Sequence, residues 1–167
     1  QLEIQRHGVS GVQVLAASES LIIADASADP RMLAADLLNE AEHGPDSSSV
    51  LVLWQPELLE ALQPELERQL AALPEPRRGY AEKALGVNGG AVVVRDVAEA
   101  IEVANLYAPE HMQIATEDPE AVLAGIDHAG EVLLGQWATF SAGNYLIGIP
   151  AALPTSGYAR VSSGVTS

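Results

Sequence analysis

Cysteine is absent from this 167-residue chain, so neither disulfides nor thiolate metal ligands enter its chemistry. Any zinc would have to be held by His, Asp, Glu, Asn or Gln. Basic residues are scarce: one lysine, Lys83, and seven arginines stand against 23 acidic residues, a formal net charge of −15. That balance argues against nucleic acid and anionic membrane as partners, because both need a positive surface. Also missing are an apolar run near the roughly 20 residues that span a bilayer and the basic-then-apolar pattern of a signal peptide. A cytoplasmic protein is the expectation. There is no glycine-rich phosphate loop either: Val87-Asn88-Gly89-Gly90 precedes a strand and reads as a helix stop and tight turn. Nothing in the chain by itself specifies a dinucleotide site.

What is present is a globular composition, 48% hydrophobic and 19% charged, on a chain long enough for one sizeable core. The acidic residues are spread over helix faces, which serves solubility. The chain starts at Gln1, without an initiator methionine, and reads as part of a longer protein. Short apolar runs alternate with amphipathic segments, the pattern of βα units and a mostly parallel sheet. The runs Leu21 to Ala24, Val50 to Trp54, Ala91 to Val94, Met112 to Ala115 and Val132 to Leu134 read as strands covered on both faces. Asp29 and Pro30 open a helix that continues to about Glu42 and stops at Gly44-Pro45. Leucines at helical spacing from Glu57 to about Leu73 mark a second, in which Pro64 predicts a kink or restart. Another helix follows Pro76. Asp96 and Glu99 form a capping-box pattern ahead of Val97 to Leu106, and Asp118-Pro119 opens a shorter helix. After Gly135 the glycines and prolines predict a tail of turns and loops.

The most informative stretch is Tyr107-Ala108-Pro109-Glu110-His111-Met112. A proline stops the helix and turns the next residues outward, leaving adjacent carboxylate and imidazole at a sheet edge. A histidine with a pKa near 6.5 can accept an alcohol's proton, and a carboxylate beside it can activate water. The alternative is a solvated Glu110 and a packing His111. Glu40 and His43 share one face at a helix end and could reach one metal ion; equally, His43 could serve the helix dipole. Ser18, Glu19 and Ser141 to Tyr145 read ordinarily as turn and capping residues. His7 and His128 show no partner and read as structural, and Trp54 and Trp137 as packing residues.

Taken with Ala24-Asp25, Ala28-Asp29-Pro30, Ala41 to Ser47, Leu134-Gly135, Leu153-Pro154-Thr155-Ser156-Gly157 and Ser162-Ser163-Gly164, the stretch resembles the histidinol dehydrogenase family along almost the whole chain. The resemblance implies an α/β fold: an incomplete Rossmann-like domain over residues 20–167, its mostly parallel sheet flanked by helices and followed by a glycine- and proline-rich loop tail. Residues 1–19 would end a preceding domain or linker. It further implies NAD-dependent oxidation of L-histidinol through the aldehyde to L-histidine, a small-molecule substrate, a zinc ion and a homodimer. His111 would be the general base, Glu110 the water activator and a substrate contact, and Ser18 a second substrate contact. The metal positions, usually Gln, His and Asp, read Glu40, His43 and Asn144 here, and a substrate histidine is replaced by Ala151. NAD-contacting segments of the family lie upstream of residue 1, so no NAD-binding residue is assigned. Two alternatives are a paralogue oxidising another small polar alcohol and a non-catalytic α/β module that has lost the metal.

Overall fold

The computed structural model describes residues 17–147 and 153–162. Within them a five-stranded sheet has the order β3-β2-β1-β4-β5, with every neighbouring pair parallel. The strands are β1 (Glu19–Ala24), β2 (Ser48–Leu53), β3 (Gly90–Val93), β4 (His111–Ala115) and β5 (Glu131–Leu134). This is the doubly wound order in which the chain reverses direction between β1 and β4. All five expected strands are present, each starting one or two residues earlier than its apolar run. The extra residues are polar ones (Glu19, Ser20, Ser48, Ser49, His111, Glu131), with Gly90 in β3. Residues 1–16 and 163–167, hence His7 and Ser163-Gly164, lie outside the described residues, as does Ala151.

Alternation along the strands divides the core between two layers. Ile22 and Ala24 of β1, with Leu51 and Leu53 of β2, pack under α1 (Pro30–Ala41) and α2 (Pro56–Ala72) through Leu33, Leu37, Leu58 and Leu62. The intervening residues Leu21, Ile23, Val50 and Val52 face the other way, with Met112 and Ile114, against Ala100 and Ala104 of α4 (Val97–Tyr107) and Val122 of α5 (Pro119–Leu123). Leu62 and Phe140 are buried to 1% and 0% exposure. Burial of that degree contributes roughly 1.5–3 kcal/mol for each such side chain. α3 (Arg77–Gly86) lies against α1 through Ala81 and Ala84 beside Leu38 and Ala41, where small residues allow close helix approach.

Caps set the helix starts. Asp29 accepts from Arg31 N (2.8 Å), Asp96 from Glu99 N (2.9 Å) and Asp118 from Ala121 N (3.1 Å). In the expected capping box the return bond goes one residue upstream, with Glu99 accepting from Arg95 N at 2.7 Å. Three expectations are corrected. Pro64 does not divide its helix, which runs unbroken from Pro56 to Ala72; the ring sits on the exposed side while Leu58 and Leu62 anchor the buried one. β3 is not covered on both faces: it is one of the two edge strands of the described sheet, and Val92 and Val93 are exposed. The tail is not all loop, because Thr139 caps a short turn at Phe140–Ala142 that continues as a π-helical turn, Gly143–Ile147. Between α3 and β3, Gly89 provides the expected tight turn, where a Cβ would sit 2.1 Å from the Ser49 carbonyl oxygen.

Candidate active site

α4 ends where Ala108 adopts a left-handed conformation (φ 53°) and its N–H donates to the Ala104 carbonyl at 2.8 Å. Pro109 prevents further helix, and the chain enters β4 at His111. β4 lies between β1 and β5, with His111 in register with Ser20 on one side and Glu131 on the other. Central placement buries both residues, Glu110 to 7% and His111 to 4% exposure. The outward turn expected from the proline therefore does not occur. The edge also differs from the usual one: open α/β sheets bind ligands beyond the carboxyl ends of their strands, and this pair lies at the amino ends. The carboxyl edge carries a cavity of about 350 Å3 lined by Thr116, Gly135, Gln136 and Trp137 among others. Trp137 is exposed there and so is not the packing residue expected, whereas Trp54 packs against the core as foreseen.

Strand parity explains what surrounds His111. Odd-numbered residues of β4 and β5 face α1, so His111, Gln113 and Glu131 share one side of the sheet with Leu133 and Ala115. His111 Nδ1 is 2.5 Å from Glu131 Oε1, and the imidazole meets the Phe140 ring edge-on at a centroid distance of 5.8 Å. Against an ionised carboxylate, which only accepts, Nδ1 is the donor of this bond. The other ring nitrogen, Nε2, lies 3.6 Å from Glu110 Oε1. Burial pulls the His111 pKa down. The hydrogen bond to Glu131 and the carboxylates of Glu40, Glu110 and Glu131 outweigh that pull and leave it above its ordinary value. Burial pushes Glu110 up to about 7, while His111 and the Glu19 N–H, which donates to Glu110 Oε2 at 3.3 Å, hold it lower. Glu110 is thus pushed toward neutrality and His111 is held above its ordinary value, shifts that suit acid–base chemistry.

α1 supplies the next polar residues. Asp36, Leu37 and Glu40 follow Leu33 at helical spacing on its buried face, opposite β4. Asp36 accepts from Gln113 Nε2 at 2.9 Å, and burial raises its pKa to about 6 in spite of that bond. Glu40 is 1% exposed. Its Oε2 accepts from Ser18 Oγ at 2.5 Å and its Oε1 from Asn39 Nδ2 at 2.7 Å. Asn39 in turn accepts from Ser141 Oγ at 2.8 Å, tying the tail to α1. His43 Nδ1 lies 2.9 Å from the Asn39 carbonyl oxygen and 3.8 Å from Glu40 Oε2. The first contact satisfies a carbonyl of the last helical turn, as the alternative reading of His43 has it. It also leaves Nε2 free in the tautomer that a metal-binding histidine uses, with its other nitrogen donating to a backbone carbonyl. Ser18, Glu40 and His43 are thus brought together. The side chain of Asn144 lies outside the described residues, and its backbone is part of the π-helical turn. Among the described residues no group of three or more His, Cys, Asp or Glu side chains is placed to hold a metal ion.

Glu131, Asp36, Gln113, Asn39 and Glu19 are the site's partners that sequence reasoning missed. A signal existed for Asp36, which sits with Leu33, Leu37 and Glu40 on one helical stripe, and for Gln113, two residues from His111 in a strand. Glu131 had only its place just ahead of an apolar run. The downstream Pro-Thr segment also returns to this edge, where Ser156 N donates to Glu19 Oε2 at 3.0 Å.

Comparisons with known proteins identify the family. The histidinol dehydrogenase family model matches residues 5–167. Histidinol dehydrogenase of Thermus thermophilus is 46% identical over 160 residues, covering 95% of this chain and 38% of that protein. The chloroplastic enzyme of Oryza sativa is 47% identical over 150 residues, covering 89% of this chain and 31% of that protein. The crystal structure of histidinol dehydrogenase from Elizabethkingia anophelis superposes with a TM-score of 0.86 at 40% identity, covering 99% of this chain and 37% of that one. The chain spans about a third of the length of these relatives. With the family model matched almost end to end and a family crystal structure superposing over 99% of its length, this chain belongs to the histidinol dehydrogenase family.

Proposed function

We propose that this chain forms part of an NAD-dependent dehydrogenase that oxidises L-histidinol through the aldehyde to L-histidine, acting as a homodimer. The observation that carries the reading is the buried pair itself: His111 Nε2 and Glu110 Oε1 lie 3.6 Å apart at one sheet edge, with Glu110 titrating at about 7. In the first oxidation His111 Nε2 takes the hydroxyl proton of the alcohol as hydride leaves the carbinol carbon, giving the aldehyde. In the second, the Glu110 carboxylate removes a proton from water as its oxygen bonds to the aldehyde carbon, and hydride loss from that hydrate gives the carboxylic acid, which ionises. Each oxidation removes one hydride and one proton, and NAD supplies the hydride acceptor. Ser18, held by Glu40, contributes a hydroxyl to the substrate's polar groups. Zinc, when bound, would be held in part by His43 Nε2 and Glu40 and would anchor the amino alcohol as a Lewis acid.

The full-length protein tests this directly. With L-histidinol and NAD, NADH formation is expected in the parent protein, and His111→Ala should lower kcat by roughly a hundredfold or more, the span of positioned acid–base catalysis. A His111→Ala enzyme that keeps a near-parental rate, or a parent that forms no NADH, removes the assignment.

A further inference from the structure

We propose that Glu131 is a positioning residue that fixes the tautomer and orientation of His111, so that Nε2 alone faces the reacting groups. The inference rests on the reading of His111 as the base and adds the group that makes it one. Glu131 is the first residue of β5 and lies directly across from His111 in the parallel register. Backbone contacts determine that placement: Gly130 N donates to the Pro109 carbonyl at 2.9 Å and Glu131 N to the Glu110 carbonyl at 3.0 Å. Gly130 is required for this approach, since a Cβ there would stand 2.5 Å from the Glu110 carbonyl oxygen. The two strands are thereby closed up immediately beside the catalytic pair.

The side-chain geometry follows. Glu131 Oε1 takes the Nδ1 proton at 2.5 Å, and the Phe140 ring packs against the imidazole in a T-shaped contact at 5.8 Å. Glu131 Oε2 is buried with no hydrogen-bond partner among the described residues. A buried carboxylate with one oxygen unpaired is costly unless a cation forms beside it. Protonation of His111 at Nε2 makes that cation, so Glu131 favours the imidazolium that proton abstraction produces. Among the described residues the charged groups that bear on the imidazole are Glu110 on its own strand, Glu131 on β5 and Glu40 on α1. Glu131 alone bonds to Nδ1. A base oriented by a third group that holds its other nitrogen is the general logic of activated histidines.

Three measurements test this in the full-length protein, with Glu131→Gln and Glu131→Asp beside the parent. Nitrogen-15 NMR of the neutral His111 ring should show the Nδ1–H tautomer in the parent and a mixture in Glu131→Gln. The rising limb of kcat/KM against pH should move to lower pH in Glu131→Gln, with kcat reduced at least tenfold and KM little changed. Glu131→Asp, which keeps the charge, should restore part of the rate. A merely structural glutamate would change unfolding midpoints while leaving tautomer and pH limb in place, and that outcome overturns the proposal. An Nε2–H tautomer in the parent overturns it with no variant needed, should Glu131→Gln fail to fold. His111→Ala retaining activity would instead remove the underlying base assignment, while the tautomer result still reports on Glu131.

Discussion

Asp36→Asn should make the protein more stable at neutral pH and leave it unchanged in acid. Asp36 is 4% exposed on the inner face of α1, and among the described residues its one bond from a side chain comes from Gln113 Nε2 at 2.9 Å. Burial, the largest cause, raises its pKa from 3.8 to about 6; the bonds from Gln113 and the Phe140 backbone oppose the rise, and the neighbouring Glu40 adds to it. A carboxyl whose folded pKa is raised contributes stability that is fully present below its unfolded pKa. That contribution is lost as pH rises through the folded value. At about 1.4 kcal/mol per pKa unit the loss between pH 4 and pH 7 is on the order of 3 kcal/mol. An asparagine is neutral throughout and can still accept from Gln113 through its side-chain oxygen. Urea unfolding of both proteins, followed by circular dichroism at half-unit pH steps, should give coincident stabilities near pH 4. The gap should open between pH 4 and 6 and stay constant above. Glu110 and His111, also shifted upward, tilt both curves alike and cancel in the difference. A gap independent of pH, or an asparagine variant less stable at pH 8, would refute the reasoning.

Gly130→Ala should cost about 1–3 kcal/mol, the usual cost of overpacking, because its Cβ would meet the Glu110 carbonyl oxygen at 2.5 Å and Pro154 Cδ at 3.1 Å; a urea midpoint equal to that of the parent would contradict the close approach of β5 to β4. In the full-length protein, His43→Ala should weaken zinc retention at least tenfold in a competitive chelator titration, since it removes the free Nε2 that the Asn39 carbonyl leaves available. Unchanged retention would assign His43 to helix capping alone.

The parallel sheet was legible because its strands carry continuous apolar runs that only two covering layers of helix can satisfy. The amino edge of that sheet was much less so, and the reason is the same pattern. Reading strands as apolar runs trims off the polar residues with which they begin, and among those residues His111, Glu131 and Ser20, paired across neighbouring strands, build or border the site. Once β4 is started at His111 and β5 at Glu131, parity alone places both on the α1 side with Gln113. The one step that sequence does not supply is the register of β5 against β4. That register depends on the contact between Gly130 and the Glu110 carbonyl, between segments twenty residues apart. His43 shows the opposite case, since its spacing from Glu40 was read correctly and yet fits two roles. Its Nδ1 bond to the Asn39 carbonyl serves a helix end and leaves Nε2 unengaged by that contact, so the helix-end reading and the proposed metal role are compatible with one geometry.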